Sequence, residues 1–248
     1  MGLMRRSGVA LWRQVQLSLE SQLSDGTLQP GDQLPTEAQL SARYGVNRHT
    51  VRRALAGLEE RSLIRVEQGR GTFVQEPVLS YRISERTRFS ANLRDQKRVP
   101  DRQVLEVTMD RAEGTAAASL GLSRGDALVV VRCVSDSDGH RITYSEHMFP
   151  AQRFPGIGEA VRDEGSVSAA LCRFGVTDYR RKWSRLTARM PTGREAEVLE
   201  QPRSRPVLVS ESLNVDLDGH PIEFGITRFN SDWVQVVVEP CAPELPTT

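Results

Sequence analysis

The sequence predicts an α+β protein with two domains, and three observations lead to this fold class. A length of 248 residues exceeds the commonest size of a single domain. Helical periodicity with capping signals dominates residues 10–60, and a glycine-centred hairpin follows. Asp-Gly turns between alternating apolar residues recur later in the chain, which is typical of an antiparallel sheet.

Signals for three helices stand near the start of the chain. The first predicted helix covers residues 10–24, because apolar residues recur there at helical spacing. A second, short helix begins at Thr36, which stands three residues before Gln39 as in a capping box, and Gly45 ends it. Asn47 then caps a third helix after a tight turn. Two helices joined in this way form a helix-turn-helix.

The third helix is predicted to have one buried stripe and one basic face. At 100° per residue, its other apolar side chains fall within about 60° of Val51. The predicted stripe consists of Val51, Ala54, Leu55 and Leu58. The neighbouring face carries Arg48, His49, Arg52 and Arg53. An arginine fork can bond the two acceptors of a guanine edge or a phosphate, so this face suits the major groove of DNA.

The charge of the chain is concentrated around this helix. Residues 43–74 contain seven arginines and three acidic residues, although the net charge of the whole chain is only +1. Such a local basic patch is typical of a confined DNA-contact surface, and a solvated arginine-rich helix face is the alternative. The segment 63–74 reads as two short strands around a glycine turn, which predicts a wing. Its tip, Gln68-Gly69-Arg70, suits a minor groove.

Three blocks of sequence, in this order, resemble the GntR family of repressors: residues 34–37, 44–55 and 68–74. The resemblance covers about residues 9 to 76. It implies DNA contacts by Thr36, Glu37, Arg48, His49, Thr50, Arg52 and Gly69. We add the predicted cap and the remaining basic and wing-tip residues to the expected DNA-binding set, namely Asn47, Arg53, Gln68 and Arg70. Ala38 stands where many relatives carry arginine, which weakens an expected contact there.

The second half of the chain contains an internal repeat. Six residues recur 80 positions later in the same order, namely Val129, Asp138, Gly139, His140, Ile142 and Phe149. Each copy consists of a helix-like segment, a strand, an Asp-Gly turn and a returning strand. The helix-like segments are 113–120 and 192–200. Two related halves of one antiparallel-sheet domain are therefore expected.

This arrangement resembles the UTRA effector-binding domain of the HutC-type subfamily, which has a fold like that of chorismate lyase. The resemblance runs from about residue 81 to residue 239, and it implies an effector cleft. The matching positions are Arg88, Phe89, Ser90, Asn92, Arg132, Glu146, His147, Ser166, Arg181 and Glu223. Residues 46–50 and 88–93 look most like regulators of phosphonate utilisation. A small phosphonate or phosphate-like anion is therefore the expected effector.

Arg132 is the candidate anion anchor. It interrupts an apolar run at 128–134, and a buried guanidinium needs an anionic partner. An internal salt bridge with Glu146 or Glu223 is the alternative to an effector contact. For Arg181, the alternative to an effector contact is a solvent-exposed position at a strand edge. His147 has an ordinary structural histidine as its alternative.

The expected organisation is a winged helix-turn-helix over 1–74, a linker over 75–80, a UTRA domain over 81–241 and a tail over 242–248. The expected partners are double-stranded operator DNA of near-palindromic sequence, the small anionic effector and a second copy of the chain. We expect no cofactor, no metal ion and no membrane contact. The absence of a long apolar run or an export signal, and an odd number of cysteines, favour a cytoplasmic location.

Other functions remain open at this stage. An enzyme is one alternative, because the C-terminal domain resembles a lyase, but no nucleophile motif, phosphate loop or metal-ligand spacing supports it. A HutC-type regulator that responds to a sugar phosphate or another metabolite is a second alternative. A purely architectural DNA binder would leave the large second domain without a purpose.

Overall fold

The structure, a computed structural model, describes residues 8–67, 69–76, 78–99 and 101–238. Internal contacts divide the chain into two compact units, residues 1–77 and 78–248. The boundary falls inside the segment expected to be a linker, but a strand already begins in that segment, at Leu79. No helix in the described ranges is both long enough and apolar enough to cross a membrane.

The N-terminal unit consists of three helices and a hairpin. They are α1 (Leu11–Ser24), α2 (Glu37–Tyr44), α3 (Arg48–Glu60), β1 (Ile64–Glu67) and β2 (Gly71–Val74). The predicted caps are present. Thr36 and Gln39 form a reciprocal capping box, and the Asn47 side chain accepts a hydrogen bond from the Thr50 amide. Gly45 has a φ of 64°, a left-handed conformation that ends α2.

One apolar cluster forms the core of this unit. The stripe predicted on α3 is buried, and Val51, Ala54 and Leu58 are fully enclosed. Side chains from α1, α2 and the hairpin pack against the stripe, including Val15, Leu19, Leu40 and Ile64. Burial of this stripe fixes which face of α3 remains outside.

The C-terminal unit is an α+β domain. Its elements are β3 (Leu79–Ile83), α4 (Phe89–Asp95), β4 (Asp101–Arg111), α5 (Gly114–Leu120), β5 (Ala127–Ser137), β6 (His140–Pro150), α6 (Ile157–Glu164), α7 (Val167–Cys172), β7 (Arg180–Arg189), α8 (Gly193–Val198), β8 (Val207–Val215), β9 (Pro221–Asn230) and β10 (Val234–Val238). Six strands form an antiparallel sheet in the order β4-β5-β6-β9-β8-β7.

The predicted internal repeat is confirmed by this topology. The units β4-α5-β5-β6 and β7-α8-β8-β9 have the same order of elements, and they meet where β6 pairs with β9. An additional parallel pair, β3 with β10, joins the two ends of the domain. The sequence did not predict this pair, because its strands are about 150 residues apart and carry no turn signal between them.

Helices cover both faces of the sheet. Helices α6 and α7 pack on one face against Val131, Cys133 and Phe149, and α5 packs on the other against Leu128 and Val130. Strand β5 is therefore apolar on both faces, and its side chains alternate between the two sides with a period of two residues.

Candidate functional site

In the N-terminal unit, α3 presents its basic face outward. Arg48, His49, Arg52 and Arg53 are all exposed, beside the buried stripe described above. The guanidinium of Arg48 has no hydrogen-bond or ion-pair partner within the described part of the chain. The Arg48 guanidinium, which is the group best suited to read a base edge, is therefore not engaged by other described residues of this unit.

Two other arginines of this face contact neighbouring helices. Arg52 donates through Nε to both carboxylate oxygens of Glu37, at 2.9 and 2.8 Å. The Arg53 guanidinium lies over the Trp12 ring, 4.5 Å from its centroid. Both groups are oriented by these contacts while they remain exposed. Thr36, Asn47 and Thr50 are placed differently, because their side chains take part in helix capping.

The wing is a two-stranded hairpin with a glycine turn. Gly69 has a φ of 78°, a left-handed conformation that favours glycine. Arg70 is exposed at the tip, and its guanidinium lies 2.7 Å from the Glu67 carboxylate. Gln68, which was expected to contact DNA, lies outside the described residues.

In the C-terminal unit, a partly open cavity of about 50 Å³ lies against the middle of the sheet. Strands β6 and β9 form its floor, the segment 87–90 forms one wall, and residues 166–168 form another. Seven of the residues expected at the effector cleft line it, namely Arg88, Phe89, Ser90, His147, Ser166, Arg181 and Glu223.

Arg88 is held at the wall of the cavity. Its guanidinium bonds the Tyr179 carbonyl oxygen and lies 3.3 Å from an Asp178 carboxylate oxygen. The same group lies 3.3 Å from the centroid of the Tyr179 ring, a close cation–π contact. Burial raises the pKa of Tyr179 to about 12, so its hydroxyl remains a proton donor, and it shares a hydrogen bond with Ser168.

A chain of hydrogen bonds crosses the floor of the cavity. Arg181 Nε donates to Asn214 Oδ1 at 2.7 Å, and Asn214 Nδ2 donates to Glu223 Oε2 at 2.7 Å. His147 Nδ1 lies 2.5 Å from the other oxygen of Glu223, and its Nε2 lies 3.0 Å from Ser145 Oγ. Arg181 is therefore not the solvated strand edge that was weighed as its alternative.

Glu223 is a buried and ionised carboxylate. Burial by itself would raise its pKa, but the hydrogen bond and charge of His147, the bond from Asn214 and the charge of Arg181 outweigh burial. Together they lower the pKa of Glu223 to about 2. The cavity thus contains one fixed negative charge at this position.

Asn92 does not line the cavity. Its side chain accepts a hydrogen bond from the Arg82 amide at 2.7 Å, and it donates to the carbonyl oxygens of Arg82 and Arg88. These bonds tie α4 to β3 and fix the start of the segment that carries Arg88. The residue acts on the cavity wall through the backbone.

Arg132 and Glu146 do not line this cavity; they line a second one on the opposite face of the sheet, and their expected contact with the effector stays a prediction. Arg132 bonds Glu146 at 3.1 Å and Glu106 at 2.9 Å, and Glu146 pairs with Arg228 at 2.7 Å. The physical reason is strand alternation, because their neighbours Ser145 and His147 face the cavity. The geometry agrees with the alternative considered for Arg132, an internal salt bridge with Glu146, on the opposite face of the sheet.

Arg102 lines the cavity, and the sequence reasoning missed it. It lies near the start of β4, and its guanidinium is 5.0 Å from the centroid of the Phe89 ring. Its Nε is buried and has no hydrogen-bond partner among the described residues. No local motif marks this arginine. The internal repeat contained a signal, because Arg102 precedes Arg181 by nearly the repeat length.

These two units define a class of protein. A winged helix-turn-helix with an exposed basic helix, on the same chain as a domain with a polar cavity, is the organisation of a transcriptional regulator with a DNA-binding and an effector-binding domain. The family descriptions agree. "Bacterial regulatory proteins, gntR family" matches residues 11–74, and "UTRA domain" matches residues 95–235. The chain belongs to the GntR family and carries a UTRA domain.

Individual relatives agree with this assignment. An HTH-type transcriptional regulator of Rhizobium meliloti (strain 1021) is 38% identical over 95% of this chain and 97% of its own length. The probable transcriptional regulator PhnF of Escherichia coli (strain K12) is 31% identical over 84% of this chain and 87% of its own length. The crystal structure of PhnF from Mycobacterium smegmatis has a TM-score of 0.64 at 25% identity, covering 92% of this chain and 99% of that one. These relatives are transcriptional regulators, so the enzyme alternative is set aside.

Proposed function

We propose that this regulator is a repressor that binds a near-palindromic operator as a homodimer and leaves it when a small phosphonate or phosphate-like anion occupies the cavity. An excess of guanidinium groups over carboxylates in the cavity carries the proposal. Arg88 faces Asp178, and Arg181 belongs to the hydrogen-bonded chain that ends on Glu223. Arg102 has no carboxylate partner among the described residues. An anion would balance this remaining charge.

The chemistry of the wall suits a tetrahedral anion. A planar guanidinium can bond two of its oxygens at once, and the hydroxyl groups of Ser90, Ser166 and Ser168 line the same space. Each hydrogen bond that involves a charge contributes about 1.5 to 3 kcal/mol. Two or three such bonds suffice for micromolar affinity after the costs of association.

The phosphonate assignment rests on the resemblance of residues 46–50 and 88–93 to regulators of phosphonate utilisation. Of these, Arg88, Phe89 and Ser90 all line the cavity. The alternative is a sugar phosphate, which would use the same arginines. The hydroxyl-bearing side chains of Ser90, Ser166 and Ser168 line the cavity and could bond the hydroxyl groups of a sugar.

DNA release requires a ligand that distinguishes two arrangements of the protein. The ligand must bind the DNA-incompetent arrangement more tightly than the competent one, whatever its absolute affinity. The cavity wall is close in sequence to the DNA-binding unit, because Arg88 follows β3 by five residues and β3 begins just after the boundary at residue 77. A ligand that bonds Arg88 competes directly with Asp178 for its guanidinium.

The test is a pair of titrations on the full-length protein. Fluorescence anisotropy with DNA from upstream of the protein's own gene measures operator binding, while 2-aminoethylphosphonate, methylphosphonate, inorganic phosphate or glucosamine 6-phosphate is added. We expect release by a phosphonate, and calorimetry should show ligand binding to the DNA complex weakened by the same factor. Release by glucosamine 6-phosphate alone would support the sugar-phosphate alternative. Operator binding that none of these anions alters would contradict an anionic effector.

A further inference from the structure

The two halves of the C-terminal sheet place equivalent side chains around the cavity. In the first half, Arg102 pairs across the strands with Ser135, and Ser135 pairs with Thr143. In the second half, 79 or 80 positions later, the corresponding row is Arg181, Asn214 and Glu223. Each half therefore contributes an arginine from its edge strand, a polar residue from the next strand and a third residue from the central strand.

The row of the second half is complete by itself. Arg181 bonds Asn214, Asn214 bonds the Glu223 carboxylate, and this carboxylate also contacts His147. Arg181 is thus linked to an anion of the protein itself, the Glu223 carboxylate, through two hydrogen bonds by way of Asn214. No external group is needed to satisfy this row.

The row of the first half is incomplete. Thr143 stands where the second half has Glu223, so no carboxylate is present at this position. Arg102 Nε and Ser135 Oγ are both buried, and neither has a hydrogen-bond partner among the described residues. A buried polar atom without a partner costs free energy, and such atoms are few in native proteins. Arg102 lines the cavity, whereas Ser135 is fully buried between the lining residues Arg102 and Thr143 with which it pairs. Two such atoms in adjacent positions point to a group from outside that completes the row.

We propose that Arg102 and Ser135 form the anion subsite of the cavity, and that the anionic group of the effector takes the place that the Glu223 carboxylate has in the other half. This inference deepens the function proposed above and rests on it. It also predicts ligand selectivity. In the other half, Arg181 is already engaged and the Glu223 oxygens accept hydrogen bonds, so the effector carries one anionic end and a hydrogen-bond-donating other end, such as a hydroxyl or an ammonium group.

The first test needs no ligand. Thr143→Glu places a carboxylate beside Ser135. There it can accept a hydrogen bond from the Ser135 hydroxyl and form an ion pair with Arg102. We expect the melting temperature of the free protein to rise by about 2 to 4 °C, and the rise to vanish in the double variant Arg102→Gln/Thr143→Glu. A lower melting temperature in both backgrounds would overturn the proposal, because it would mean that the added carboxylate finds no partner.

The second test uses calorimetry with 2-aminoethylphosphonate and with phosphonoacetate, which has anions at both ends. The wild type should bind the first at least about tenfold more tightly, and Arg102→Gln should weaken that binding by about ten- to a hundredfold. Ser135→Ala should weaken binding several-fold without lowering the melting temperature, since it removes an unpaired hydroxyl. Arg185→Gln, an exposed arginine of β7 outside the cavity, is the matched control and should change neither.

The outcomes separate this inference from the function on which it rests. If the wild type releases its operator with an anion while Arg102→Gln releases it equally well, the regulator stands and the subsite is wrong. If Thr143→Glu stabilises the protein through Arg102 but no anion releases the operator, the subsite stands and the proposed effector response is wrong. Equal binding of the two phosphonates overturns the predicted selectivity.

Discussion

Arg52 on α3 bonds both carboxylate oxygens of Glu37, the first residue of α2, through its Nε. The pair links the two helices of the helix-turn-helix and holds the Arg52 guanidinium in one orientation. Because the Arg52 side chain is largely exposed and that of Glu37 partly exposed, the pair adds little to stability. The two arginines of the basic face therefore differ. Arg52 is oriented by an ion pair, whereas Arg48 has no such partner in the described part of the chain.

We predict that Arg48→Ala weakens binding to the operator far more than binding to random DNA. The loss of one bidentate base contact should cost about 1 to 3 kcal/mol on the operator alone. Titrations of both DNAs at the same salt concentration measure this difference. Arg61→Ala, at the other end of α3 and paired with Glu20, is the control and should leave the ratio unchanged. Equal weakening on the two DNAs would make Arg48 a phosphate contact.

A second prediction concerns assembly. One winged unit covers too few base pairs to select a site in a genome, so two copies should bind the two half-sites of a near-palindromic operator. Light scattering of the free protein and of its operator complex should give two protomers in each. A complex with one protomer at saturation would contradict the homodimer.

Arg132→Met tests the ion-pair network on the face of the sheet opposite the cavity. The change removes two bonds and leaves Glu106 and Glu146 without this partner, so we expect a loss of about 1 to 3 kcal/mol in unfolding free energy. Anion binding should be unaffected, because the cavity lies on the opposite face. Urea denaturation and calorimetry provide the two measurements, and Arg102→Gln should show the reverse pattern. Loss of anion binding with unchanged stability would place Arg132 at the effector.

Glu195→Gln should destabilise the protein in a pH-dependent way. The two bonds from Arg189 are the main cause that lowers the pKa of Glu195 to about 2, with further contributions from Thr192 and Arg228. A lowered pKa stabilises the folded state above the ordinary value of about 4.5, and this stabilisation is lost as the pH falls toward 2. The variant should therefore be less stable by about 3 kcal/mol at pH 7.

Urea denaturation of the wild type and Glu195→Gln at several pH values checks this prediction. The difference between them should shrink steadily from pH 5 to pH 3. A difference that stays constant over this range would mean that the carboxylate acts through packing and not through its charge. Glu197→Gln, on the same helix but not bonded to Arg189, is the matched control.

The N-terminal unit was predictable because its signals are local. Capping by Thr36 and Asn47, the left-handed Gly45 and the periodicity of α3 each depend on residues a few positions apart. The repeat in the C-terminal unit was predictable for a related reason, since its Asp-Gly turns mark where each hairpin reverses.

The cavity was only partly predictable, because side-chain direction in a doubly covered sheet has no sequence signal. Strand β5 is apolar on both faces, so its composition does not reveal which residues face the cavity. A shift of one residue moves a side chain to the other face, so the sequence does not show on which side of the sheet Arg132 lies. Arg102 was missed for the complementary reason, since its position depends on a register with Ser135 that only the folded sheet defines.

The near-duplication of the sheet has a consequence for how a ligand can be oriented. Two identical halves would offer a small molecule two equivalent poses, related by half a turn, and a bound population would be a mixture of both. The halves differ at several equivalent positions of the lining, as at Thr143 and Glu223 or at His147 and Thr227, and these differences would remove the degeneracy. A molecule with unlike ends then has a single preferred direction. On the function proposed above, every occupied copy of the domain would then hold its ligand in one orientation.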